Sequence, residues 1–334
     1  MKHLVNSTLL VFCSFIILSL TISGNAMAIS NKHSNKIRVA TFNVSMEALN
    51  YVERVAGKSP KVTGKELTHA LRQNTQQIKN IAEIIQRINP DIILLNEFDK
   101  TEDEQRNIQY FIKSYLNESQ HGQAGINYPY VYQGDVNTGV IIDADLNKDG
   151  QLNQHPSDTH GFGYFEGHFG MVLLSKYPIK TESIRTFQQF KWHDMPDALK
   201  PIDPTTEKPW YNEKVWQELR LSSKSHWDIP VSVNDKVIHI LASHPTPPVF
   251  DGPEDRNGKR NHDEIRFWLD YINSDKAQYI YDDNGDKGGL LENNAFILLG
   301  DLNASNVEGD ALNESINALL TNNKIQDAFP QSIG

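Results

Sequence analysis

The chain has 334 residues, with 32 Lys and Arg against 42 Asp and Glu, and a single cysteine. That length suits one large domain with a sizeable core. The formal charge of −10 argues against capture of nucleic acid by a broad basic face, and one cysteine excludes a disulfide framework.

Lys2 and His3 make a short polar start, and an apolar core runs over residues 9–20, interrupted by Ser14 and Ser19. Ala26, Met27 and Ala28 supply a small-x-small cleavage site. The run is short for a membrane span and no basic stop follows it. A signal peptide over 1–28, cleaved after Ala28, is expected, and with it a secreted or periplasmic address. Cys13 leaves with the signal, so the mature chain has no thiol chemistry. Residues 29–334 read as one domain, with no internal repeat and no long linker.

Residues 37–44 read as a strand. Residues 67–88 carry Leu71, Ile78, Ile81, Ile84, Ile85 and Ile88 near helical spacing, and Asn89 and Pro90 stop them. Residues 92–95 form a short apolar strand. Thr101 with Glu104 three residues later makes a capping box for a helix over 101–116. Residues 128–133, 171–174 and 179–187 read as strands, 219–233 as two more, and 236–243 as another. Residues 262–272 read as helix, 295–299 as strand and 312–320 as a last helix. Strands alternating with helices imply a layered α/β build.

Three insertions interrupt this pattern. Asp145, Asn147 and Asp149 hold the first, third and fifth positions of an EF-hand-type loop, with Gly150 at the sixth. The twelfth position is Pro156 rather than Glu, so a partial structural Ca2+ loop and a plain acidic turn both fit. Residues 185–219 concentrate Phe187, Phe190, Trp192, Trp210, Tyr211 and Trp216. They suit a loop packed onto its domain more than a substrate platform. Residues 245–262 bring Arg256, Lys259, Arg260 and His262 close after His244. They either hold anionic substrate groups, Arg by a bidentate contact, or form a solvated loop with Asp255 paired to Arg256.

Four strands end in chemically able side chains: Asn43, then Asn96 with Glu97, then His244, then Asp301 with Asn303. Asp301 and Asn303 are two residues apart, so on an extended chain they project together. One is anionic and one neutral, which suits activating a water beside a donor to a developing anion. Any one of these is an ordinary solvated strand end. All four together are not. Their carboxylates suit a hard cation such as Mg2+.

The ordered set resembles the endonuclease/exonuclease/phosphatase superfamily, which includes DNase I-like nucleases, neutral sphingomyelinases and inositol phosphatases. Thr41 to Asn43 resembles its first motif and Pro90 to Glu97 its metal-carboxylate motif. Gly170 to Pro178 resembles its central strand, Ala242 to His244 its histidine strand, and Gly300 to Ala304 its Asp-x-Asn motif. The resemblance implies a four-layer αββα sandwich of two packed mixed sheets flanked by helices. It also implies a divalent-metal-dependent phosphoester hydrolase that uses Mg2+ or Mn2+. Glu97, helped by Asn43, would hold the metal, and Asp301 would orient the attacking water. Asn303 and His244 would donate to the transition state, with Arg220, Arg256 and Arg260 as weaker contacts to substrate phosphate. A structural Ca2+ at 143–153 would be separate.

Two positions depart from the family pattern. Asn96 stands where Gln is usual. No Asp-His pair follows Asp301, so the resemblance implies a domain incomplete at its C-terminus, with His226 and His262 the next bases to consider. Nucleic acid, a phospholipid headgroup and a small phosphoester all remain open as substrates. No obligate protein partner is implied, and a monomer is expected. The rival reading is a catalytically degenerate secreted binding module on the same scaffold. The intact set of Asn43, Glu97, His244, Asp301 and Asn303 argues against it.

Overall fold

The computed structural model describes residues 36–53, 55–101 and 106–326. The expected signal peptide, most of the Thr101–Glu104 capping box and the last eight residues lie outside them. Strand β1 (Val39–Met46) pairs in parallel with β2 (Ile92–Phe98). After β3 (Tyr130–Tyr132) comes β4 (Met171–Ser175), which runs antiparallel to both β2 and β3. The first sheet is therefore ordered β1-β2-β4-β3. The second contains β5 (Arg185–Thr186), β6 (His226–Val233), β7 (Lys236–Ser243) and β8 (Ala295–Gly300) in chain order. Asn234 and Asp235 join β6 to β7, both with positive φ (47° and 65°), the backbone that a tight hairpin requires. β7 and β8 are parallel.

Helices cover both outer faces: α1 (Lys65–Arg72), α2 (Gln76–Ile88) and α3 (Arg106–Phe111) on one side. On the other lie α4 (Glu213–Glu218), α5 (Arg256–Tyr271) and α6 (Asn313–Leu320). The layering follows from the two-residue period of strands. Ile92 and Leu94 of β2 join Met171 and Leu173 of β4 against Trp227, Ile229, Ile240 and Ala242 of the second sheet. Ile93, Leu95, Val172 and Leu174 point the other way, onto Leu67, Leu71, Ile78 and Ile85 of α1 and α2. Leu241 of β7 packs outward with Ile265, Trp268, Ile316 and Leu319 of α5 and α6. The αββα sandwich is the arrangement expected.

Several local expectations need correction. The helix expected over 67–88 is two helices, because Asn74 takes a left-handed φ of 60° and Thr75 restarts the chain from an extended conformation. The strand expected over 179–187 shrinks to Arg185–Thr186, since a helical turn at Thr181–Ser183 separates it from an isolated Ile179–Val231 bridge. Residues 219–233 hold one strand and one isolated bridge rather than two strands. Helix α5 begins at Arg256 instead of His262. Its first turns are polar, so apolar periodicity could not reveal them. After α3 the chain continues in a wider helical turn, Ile112–Leu116.

Candidate active site

Two parallel strand pairs set the site. Asn43 is opposite Asn96 in the β1–β2 register, and Ser243 is opposite Gly300 in the β7–β8 register. Parallel neighbours end on the same edge, so the side chains that follow them gather there. Asn43 Nδ2 donates to Asp301 Oδ2 at 3.0 Å and ties the two sheets together.

Backbone conformation at these ends is unusual. Ser45, Glu97 and Asn303 all have positive φ (46°, 57° and 50°), a region that costs free energy for residues other than glycine and that clusters at functional sites. The turn at Ser45 lets its N–H donate to Asn43 Oδ1 at 3.1 Å and leaves its hydroxyl 3.5 Å from Glu97 Oε2. Glu97 is half-buried beside it. Its neighbour Asn96 is buried and donates to Thr41 Oγ1 at 3.1 Å, so it serves the strand pair and not the cleft.

A buried polar layer stands behind Glu97. Asp99 accepts from Ala48 N (2.7 Å) and Phe169 N (2.9 Å). Glu47 accepts from Leu49 N (2.7 Å) and from His168 Nε2 (3.0 Å). Burial raises the Asp99 carboxyl well above the usual range and lowers the His168 imidazole. These bonds staple the segments after β1 and before β4 to the end of β2.

On the second sheet, His244 is 2 % exposed and its Nε2 lies 3.9 Å from Asp301 Oδ2. Burial first, and the charge of Lys224 second, hold the His244 ring well below its ordinary pKa, so it is neutral. Its Nδ1 is buried with no hydrogen-bond partner among the described residues. Asn303 donates its backbone N–H to Asp301 Oδ1 (3.2 Å) and its amide to Pro245 O (3.0 Å). Asn261 of α5 bonds both flanking loops, donating to Thr246 O (2.8 Å) and Leu302 O (2.9 Å).

Lys224 is the site residue that sequence reasoning missed. It is 6 % exposed. Burial lowers its ammonium pKa, and the negative charges of Glu264, Glu97 and Asp301 oppose that shift. Glu264 is itself buried and raised by desolvation, and it accepts from Ser223 N and from Thr246 N (2.7 Å). The only local signal was a lysine set among small residues, Ser222 to Ser225, just before a strand.

Other expected residues have different work. Arg260 donates to the backbone carbonyls of Leu221, Arg220 and His160. Arg256 pairs with Glu254 and lies over the Trp210 ring, not with Asp255. Both guanidinium groups hold loops. Arg220 donates to Asn137 Oδ1 (2.7 Å), and no hydrogen bond links it to Asp301, Glu97 or His244. His226 is buried between Ser222 Oγ (2.6 Å) and Glu264 O (2.8 Å), and His262 pairs with Asp263, so neither stands in as the base. In the 143–153 loop, Asp145 accepts from Asp149 N (3.1 Å) and Gly150 N (2.8 Å), and Asp149 accepts from Gln151 N (2.8 Å). Asn147 accepts from Asp149 N at 3.2 Å. The side chains thus close an acidic turn. The aromatic insertion packs into the core, as Phe187, Phe190 and Trp192 are almost wholly buried.

Among the described residues no group of three His, Cys, Asp or Glu side chains converges on a point. The donors at the cleft are the Glu97 carboxylate and the Asn43 amide oxygen. This set fits Mg2+, which binds through one or two carboxylates and keeps several waters, better than Zn2+, which takes three or four protein ligands.

Comparison with known proteins places the chain. A search of curated proteins finds no match. Among solved structures, an endonuclease/exonuclease/phosphatase from Beutenbergia cavernae DSM 12333 is 14% identical, with a TM-score of 0.43 over 85% of this chain and 53% of that one. The chain thus spans about half of that protein. A mutant beta toxin from Staphylococcus aureus with bound magnesium ions is 12% identical, with a TM-score of 0.41 over 87% of this chain and 71% of that one. Sphingomyelinase C from Streptomyces griseocarneus is 14% identical, with a TM-score of 0.38 over 85% and 68%. The sequence model of the Endonuclease/Exonuclease/phosphatase family matches residues 40–331, a span that includes both sheets and every strand end of the cleft. The chain belongs to the endonuclease/exonuclease/phosphatase family.

Proposed function

We propose that the protein is a secreted, divalent-metal-dependent phosphoester hydrolase. The observation that carries this reading is the Asn43–Asp301 hydrogen bond of 3.0 Å, which joins the two sheets beside Glu97, His244 and Lys224. A solvated strand end has no need of such a set.

Glu97 and the Asn43 amide oxygen would hold Mg2+ or Mn2+. When bound, the ion supplies Lewis-acid polarisation of a phosphoryl oxygen and stabilises the leaving oxyanion. The protein's own groups do the rest. Asp301 is held by donors on both oxygens, from Asn43 and from Asn303 N, and this fixed carboxylate orients an attacking water. Neutral His244 would donate from Nε2 toward the phosphoryl group. Asn303 has a second amide hydrogen for the same purpose. Lys224 adds a fixed positive charge in a desolvated setting, where it counts for more than in water.

The test is a substrate panel with the mature protein in Mg2+, Mn2+ and Ca2+: DNA, RNA, a phosphocholine lipid and a small phosphodiester. Metal-dependent hydrolysis abolished by EDTA is expected for at least one. No turnover on any member, with the protein folded, would support the binding-module reading. Secretion is part of the proposal. N-terminal sequencing of the exported protein should begin at Ile29. No helix among the described residues is long and apolar enough to cross a membrane.

A further inference from the structure

Lys191 and Arg220 face each other across an isolated antiparallel bridge. Residues directly opposed in such a pair project to the same face, and like charges there repel. Among the described residues neither has a carboxylate partner. Lys191 Nζ donates to the backbone oxygen of Glu218 (3.0 Å), and Arg220 Nη1 to Asn137 Oδ1 (2.7 Å). Arg220 Nε is buried with no partner among the described residues. A buried donor left unmade is costly, so this edge of the guanidinium is doubly unfavourable as it stands.

His160 completes the cluster. Its Nδ1 accepts from Arg220 N at 3.4 Å, which leaves the proton of the neutral ring on Nε2. Gly161 permits this approach, because a Cβ there would lie 1.8 Å from Ser223 O. Arg260 brings a further charge, with donors bonded to the carbonyls of Leu221, Arg220 and His160. Burial and the charges of Arg220, Arg260 and Lys191 push the His160 pKa down to about 3. Among the acids within range, Glu264 acts on Arg260. Asp283 is bonded to Thr186 Oγ1 (2.6 Å), Gln188 N (3.1 Å) and Gln189 N (2.7 Å), and Glu218 and Asp194 bear only on Lys191.

A chain with excess acid that leaves three cations together is short of one anion at this place. We propose that Lys191, Arg220 and His160 form an anion subsite that takes a phosphate group. Arg220 supplies a guanidinium charge and its Nη2 donor. Lys191 supplies a point charge, and His160 Nε2 a neutral donor. The subsite is separate from the cleft but near it. Four Cα-to-Cα steps separate Arg220 from Lys224, so their Cα atoms lie at most about 14 Å apart. If the cleft hydrolyses phosphoesters, as proposed above, a substrate with a second phosphate could engage both places at once.

The probe is inorganic phosphate, with melting temperature as the readout in EDTA, and sodium chloride at matched ionic strength as control. Phosphate should raise the wild-type melting temperature by mass action on the native state, and chloride should not. Lys191→Met should reduce the rise, and Lys191→Met with Arg220→Gln should abolish it. An indifferent wild type overturns the proposal. So does a full rise in the double variant, which would place the phosphate in the cleft. Lys191 is half-buried, so its single variant decides the matter if the double variant does not fold. A second arm separates free phosphate from substrate phosphate. In the double variant KM should rise about 10-fold, the loss of roughly one charge-assisted bond, for a dinucleotide bearing a terminal phosphate. It should not change for a phosphodiester with one phosphate. An unchanged KM for both would confine the subsite to free phosphate, and an equal rise for both would overturn its role in holding a second phosphate. The thermal arm does not depend on turnover, so it stands even if the hydrolase reading fails.

Discussion

Asn43 and Asp301, 258 residues apart in the chain, are joined by a 3.0 Å hydrogen bond between the ends of two different sheets. The bond fixes one carboxylate oxygen of Asp301 and turns the Asn43 amide oxygen toward Ser45 N. Each residue thereby sets the orientation of the other, and the cleft between the sheets acquires one geometry.

Asp301→Asn keeps the shape and removes the charge. Turnover should fall about 100-fold or more, as for loss of a general base. The melting temperature should change little, because the site is half-exposed. Near-wild-type kcat in the folded variant would remove Asp301 from the reaction.

Glu97→Gln should raise the Mg2+ concentration needed for half-maximal activity, since one carboxylate contributes much of the site's affinity for a hard cation. Calorimetry of Mg2+ binding in the absence of substrate should show the same weakening. An unchanged metal titration would make Glu97 a structural residue of the strand end.

Lys224→Met should lower kcat/KM by about 100-fold, the scale of losing one preorganised donor to the transition state. Lys224→Arg should recover part of it. If Lys224→Met is as active as wild type, the buried cation serves only to balance Glu264.

Acid should act through His226. Its ring is driven down to about 4 by burial, opposed by its hydrogen bond to Glu264 O. The folded pKa lies below the unfolded value of about 6.5, so the unfolded state binds the proton more readily. The stability that neutral His226 contributes is complete above about pH 6.5 and is lost as pH falls toward 4, up to about 3 kcal/mol. Raised carboxylates such as Asp99 and Glu264 act in the opposite sense. The comparison is therefore between wild type and His226→Gln, whose melting temperature should fall less between pH 7 and pH 4. Parallel curves would refute the assignment.

Asp145→Ala combined with Asp149→Ala removes the acceptors of three N–H groups in the acidic turn. Melting temperature should fall in EDTA as well as in Ca2+. A loss seen only in Ca2+ would mean that the loop works by holding the cation.

The cleft residues Asn43, Glu97, His244, Asp301 and Asn303 were legible in the sequence, because the apolar run beside each is a local fact, although β1 and β2 continue past Asn43 and Glu97 to Met46 and Phe98. So was the layered class, since the continuous apolar run of β2 reports a strand buried on both faces and the helical spacing over 67–88 a helix with one buried face. The break at Asn74 was not, because one left-handed residue interrupts a helix without disturbing its apolar pattern. The basic stretch after His244 suggested phosphate contacts, and only the fold showed Arg260 bonded to three carbonyls and Arg256 paired with Glu254. Lys224 and the Lys191–Arg220 pair were invisible for the same reason. Their chemistry comes from desolvation and from neighbours distant in the chain, and both are properties of the packed tertiary structure, not of any window of sequence.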